Sequence, residues 1–186
     1  MKNSLLLLQE MQEALSKQEE DLKSLVFLSE KELNDRPSEK AWSALECLAH
    51  VNSYADFYIP AFQEAIAKAR EKRWTAEENF HSTWIGRYSI QSILPENRKK
   101  RLNSPKQHNH FASQRSMDED IRLFEANLAS MRKLVESAKE INLNKAKVAI
   151  EIMPLLKLRI GDFFPFLILH QSRHMLQAKE AAGLNI

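Results

Sequence analysis

Phe163-Phe-Pro-Phe-Leu-Ile-Leu-His-Gln-Ser-Arg-His-Met-Leu-Gln177 decides how this chain folds and where its chemistry lies. Gly161-Asp162 in front of it offers a helix start, with Asp162 as the N-cap, Pro165 in the permissive first turn and Gly183 near the stop. Four residues on such a helix amount to about 40° of rotation and about 6 Å of rise. His170 and His174 therefore project from one face, one turn apart. A second predicted helix holds His50, in Trp42-Ser-Ala-Leu-Glu-Cys-Leu-Ala-His50. If the two helices pack side by side, the three imidazoles can hold one divalent metal between them.

Working outward, the rest of the chain also reads as helical. It has 186 residues, long enough for one well-buried core, and no linker rich in Gly, Ser or Pro divides it. Residues 1–186 are read as one domain. Three glycines and six prolines beside abundant Ala, Leu, Glu and Lys suit an all-α fold. Leu5, Leu8, Met11, Leu15, Leu22, Leu25, Val26 and Leu28 recur at helical steps and predict a first helix over about residues 2 to 32. Asn34 to Ser38 breaks it. Ser43 and Glu46 form a capping box, so the second helix begins at Ala44 and runs toward Lys72, with a kink or brief interruption at Pro60. Residues 74 to 115 lack sustained periodicity and predict a long connection with short helical pieces, a place where function often resides. Ser116 and Glu119 repeat the capping signature before a third helix ending near Glu140, and Val148 to Ile160 reads as extended.

The charge balance narrows the function. With 27 basic against 25 acidic residues, the net charge of +2 gives no field that would gather nucleic acid or anionic lipid. The basic run Arg98 to Arg101 reads as a solvated loop. Apolar runs such as Leu5 to Leu8 are too short to span a bilayer, and the start lacks a signal peptide's long apolar stretch. A cytoplasmic, unprocessed protein is the expectation, consistent with the single cysteine, Cys47.

Two histidines at this spacing also occur in helices with no ligand role. The apolar surroundings of His50 and His170 argue for more, because burying an unpaired imidazole is costly and a metal satisfies its nitrogen. Cys47, one turn before His50, reads either as a thiolate ligand or nucleophile or as a buried helical cysteine; the lack of an adjacent base or cation favours the latter. Gln177, one turn beyond His174, can orient a ligand or water, and Glu46 and Tyr54 flank His50 by one turn each. Glu46 already has its capping role. His81, His108 and His110 fall in the polar connection, where solvent exposure accounts for them.

Trp42-Ser43-(x)6-His50 and His170-(x)3-His174-(x)2-Gln177, with Arg173 before the second histidine, resemble the second and last helices of the DinB/YfiT superfamily of bacterial four-helix-bundle proteins. The resemblance covers nearly the whole chain. It implies a four-helix bundle with a long connection between helices 2 and 3. It also implies that His50, His170 and His174 are metal ligands, usually for zinc, nickel or a similar divalent ion, with water or substrate at the remaining positions. Many relatives carry an acidic residue directly after the first histidine of the last-helix pair, where this chain carries Gln171. The wider superfamily includes thiol-dependent transferases and isomerases and metal-dependent hydrolases. Two readings follow. One is a metal-dependent enzyme of thiol S-transferase or hydrolase type, acting on a small molecule or low-molecular-weight thiol, with Tyr54, Arg173 and Gln177 orienting groups near the metal. The other is a non-catalytic metal- or ligand-binding stress-response protein whose metal is structural. Relatives commonly form homodimers, and that assembly is expected here.

Overall fold

The computed structural model describes residues 1–94 and 104–184. The basic run Arg98 to Arg101 and Pro95 lie outside the described residues. Four long helices dominate: α1 (Ser4–Val26), α3 (Ala44–Glu71), α5 (Met117–Ser137) and α6 (Ile160–Ala181). Two short ones, α2 (Glu30–Asn34) and α4 (Trp84–Ile93), lie in the connections. Helices α1 and α3 each pack on both α5 and α6, so the four long helices close a ring in the order α1, α6, α3, α5. This is the all-α four-helix bundle that the sequence predicts, with the core at its centre around Leu15, Leu48, Phe62, Phe124 and Phe164.

Local chemistry sets the helix ends. The predicted first helix divides: α1 stops at Val26, and Ser29 starts α2 with a capping box to Glu32. Ser29 satisfies backbone amides in a non-helical conformation and so ends the longer helix. The box of Ser43 and Glu46 opens α3 as predicted. Of the corresponding pair at α5, the Ser116 half forms, its side chain accepting from the Glu119 N–H. No interruption occurs at Pro60, through which α3 is continuous. Pro60 and Asp56 are both exposed, so water meets the carbonyl that the proline leaves without a donor.

The segment read as extended from 148 to 160 is so over most of its length, with a turn at Glu151 and Ile152 and with Ile160 already in α6. Strands β3 (Lys147–Ile150) and β4 (Met153–Arg159) form an antiparallel hairpin, and a second pair joins β1 (Lys2–Asn3) to β2 (Asn79–Phe80). The hairpin feeds directly into α6. The Ile160 and Gly161 amides donate to the carbonyls of Ala146 and Leu143, which places the N-cap at Arg159. The expectation for Asp162 is thereby corrected, and Pro165 lies beyond the first turn. Asp162 is fully buried and accepts from the Thr83 backbone N–H at 3.0 Å, the Thr83 hydroxyl at 2.8 Å and the Ser82 hydroxyl. It ties the start of α6 to the start of α4 instead of capping its own helix. At the other end of α6, Gly183 adopts φ +72°, and the amides of Gly183 and Leu184 donate to Glu180 and Lys179. This is the Schellman closure for which glycine is best suited. Among the described residues no helix is long and apolar enough to cross a membrane.

Candidate metal centre

Helices α3 and α6 pack antiparallel, since Phe62 meets Phe163 and Phe164 while His50, earlier on α3, meets His170 and His174, later on α6. The half-bundle next to Trp42 therefore gathers all three predicted histidines. One ligand-capable atom from each lies within 4.8 Å of the others. Ring centroids are 4.4 Å apart for His50 and His174, 4.6 Å for His170 and His174, and 5.3 Å for His50 and His170. His50 is buried, and His170 and His174 are half-buried. Trp42 meets the edge of His50 and stacks on His174, while Tyr54 meets His50 and His170 edge-on.

Burial dominates the electrostatics. It pushes the His50 imidazole down to about 4 and His170 down to about 3, the neighbouring imidazoles adding to the effect. His174 is held well below the usual histidine range for the same reasons, with Gln177 pulling the other way. All three rings are neutral at pH 7 and keep a lone pair for a cation.

Two observations fit the cluster to a divalent ion. His50 donates its Nδ1–H to the His108 carbonyl at 2.7 Å, which fixes the tautomer and leaves Nε2 with its lone pair. Ligand histidines typically hold their second nitrogen in this way. Nδ1 of His174 is buried without a hydrogen-bond partner among the described residues, an arrangement that is costly unless something polar satisfies it. A family model described as the DinB superfamily matches residues 14–178. The chain belongs to the DinB superfamily. No curated protein and no solved structure matches it in the corresponding comparisons.

The remaining candidates of this DinB-superfamily chain divide clearly. Cys47 lies outside the cluster; it is fully buried and its thiol is pushed far up by burial, with Glu46 and Glu180 adding to the shift, so it is a core residue and no source of thiolate. Glu46 is held by its cap, by Arg36 at 2.8 Å and by the Ser113 N–H. Gln171 is buried with its side-chain oxygen unpartnered among the described residues. Arg173 and Gln177 line a cleft of about 430 Å³ together with Trp42, which this cleft shares with the histidine cluster.

His108 overturns its sequence reading. It is not solvated: it is 2% exposed, stacks on Tyr54 at 3.7 Å between centroids, and lies between Ser53 and Glu151. His110 is half-buried, whereas His81 is exposed as read. No local pattern marks His108, because its burial arises when the short 3-10 turn Lys106–His108 docks on α3.

Proposed function

We propose that this chain is a metal-dependent enzyme of thiol S-transferase or hydrolase type in which His50, His170 and His174 hold one divalent ion, zinc or nickel. The observation that carries this reading is the convergence of three imidazoles from two helices within 4.8 Å. Among the described residues no cysteine or carboxylate joins the three, and a set of three nitrogen donors suits a catalytic site better than a closed structural one. When bound, such an ion supplies Lewis acidity, which eases ionisation of a low-molecular-weight thiol or water at neutral pH.

The protein's own groups do the rest. The His108 carbonyl keeps His50 in one tautomer. The rings of Trp42 and Tyr54 wall the cluster and exclude water from two sides, which strengthens polar interactions inside it. Arg173 and Gln177 give the adjoining cleft a cation and an amide with which to orient a small polar substrate. The test is turnover by zinc- or nickel-loaded protein of a thiol with generic electrophiles, and of esters and amides. Activity that a chelator removes and returned metal restores is expected. Loaded protein that turns over none of these substrates contradicts the enzyme reading.

A further inference from the structure

Glu151 occupies the first position of the two-residue turn between β3 and β4, just after the strand pairing slips between Ala149 and Ile150. Such a slip bends a strand and re-aims the residues beside it. The Glu151 backbone N–H donates to the Tyr58 hydroxyl at 3.2 Å, which pins the turn to α3. Its carboxylate lies 2.8 Å from Nε2 of His108. The other ring nitrogen of His108 lies 2.9 Å from the Ser53 hydroxyl. The Ser53 hydroxyl also reaches the His50 carbonyl, at 2.7 Å, so it bridges that carbonyl and the His108 ring. Tyr54 stacks against one face of that ring, 22° from parallel. Both nitrogens and one face of His108 are thereby held.

The consequence appears at the backbone. A three-residue 3-10 turn is a weak device for holding a carbonyl in place, because it has few hydrogen bonds and those are poorly aligned. Yet the His108 carbonyl is the group that accepts the His50 Nδ1–H. The Ser104 hydroxyl also lies near that nitrogen, at 3.5 Å. A hydroxyl both donates and accepts and so selects no tautomer, whereas a carbonyl only accepts and selects one.

We propose that Glu151 is a positioning residue: by anchoring the His108 ring it holds the His108 carbonyl against His50 and fixes the tautomer and rotation of that imidazole. Its consequence for metal binding rests on the reading of His50 as a ligand; the tautomer itself does not. The hairpin turn thus sets the geometry of the histidine cluster without touching it.

The test compares wild type with Glu151→Ala and Glu151→Gln by ¹⁵N spectroscopy of the histidine side chains in metal-free protein, followed by zinc titration. Wild type shows His50 as a single Nδ1–H tautomer. Glu151→Gln keeps it, since an amide can either donate to or accept from the His108 nitrogen. Glu151→Ala gives a mixture of tautomers and weakens zinc binding about 10–100-fold. The Glu151 side chain is polar and 22% exposed, so its loss removes a hydrogen bond and some packing at the hairpin turn, not an apolar core contact. Ser53→Ala, which frees the other His108 nitrogen, produces the same mixture and serves should Glu151→Ala not fold. A single Nδ1–H tautomer in Glu151→Ala or in Ser53→Ala overturns the proposal. Zinc that binds neither wild type nor variant overturns the metal reading instead, and the tautomer result then decides the role of Glu151 by itself.

Discussion

The same two helices, α3 and α6, meet in two different ways along their length. Around Phe62 the contact is wholly apolar: its ring stacks on Phe164 at 4.3 Å and tilts against Phe163 at 5.6 Å, and all three are fully buried. Around His50 the contact is again made of rings at similar spacing, yet these rings carry nitrogens, and one of them, on His174, has no partner among the described residues. Dispersion and water exclusion fully account for the first half. They cannot account for the second, where each buried nitrogen lowers stability unless something polar completes it. The first half stabilises the fold, and the second gives up stability at a place suited to binding.

Three experiments widen or close this contrast. Phe62→Ala attacks the apolar half and should cost about 3–5 kcal/mol in urea unfolding, with zinc uptake by the folded protein retained.

Acid attacks the other half. Each of the three histidines has a folded-state pKa below its unfolded value of 6.5. The unfolded chain therefore binds more protons between the two values, and stability falls as pH falls. The contribution is complete above about pH 6.5 and is lost on the way down to about pH 3. His50 alone, displaced from 6.5 to about 4, accounts for roughly 3 kcal/mol. Urea midpoints of metal-free protein across this range measure the loss; a flat profile would mean that the histidines are not buried in the neutral form.

His174→Leu is the smallest of the three effects and the sharpest. Filling the position with an apolar side chain removes the unpartnered nitrogen and should stabilise metal-free protein by about 1–3 kcal/mol. It should also flatten the acid slope and abolish stabilisation by zinc. A variant that is less stable than wild type without metal would show that His174 already has a satisfied structural role.

The two halves also differ in how well sequence alone reveals them. The apolar stripe of α1, the Ser43 cap of α3, the Ser116 cap of α5, the Gly183 stop and the extended segment after α5 follow from periodicities and terminal residues that act within a few positions. His50, His170 and His174 were legible for the same reason: helical spacing sets two of them on one face, and the apolar surroundings mark the third. Asp162 and His108 were not. Asp162 has an N-cap's position in the sequence, but Leu143 and Ala146, just before the hairpin, supply carbonyls to the first amides of α6 and leave the carboxylate to Ser82 and Thr83, roughly eighty residues away. The role of His108 depends on α3 and on the hairpin, 55 and 43 positions distant. Contacts of that range leave no periodic trace in the chain.

Whether one half of the α3–α6 contact is kept polar to hold a metal is decided by elemental analysis of untagged wild type and His174→Ala purified in parallel. A metal-holding contact carries close to one divalent ion per wild-type chain and none in the variant. Wild-type protein that carries no metal and takes up neither zinc nor nickel would contradict a metal-holding role.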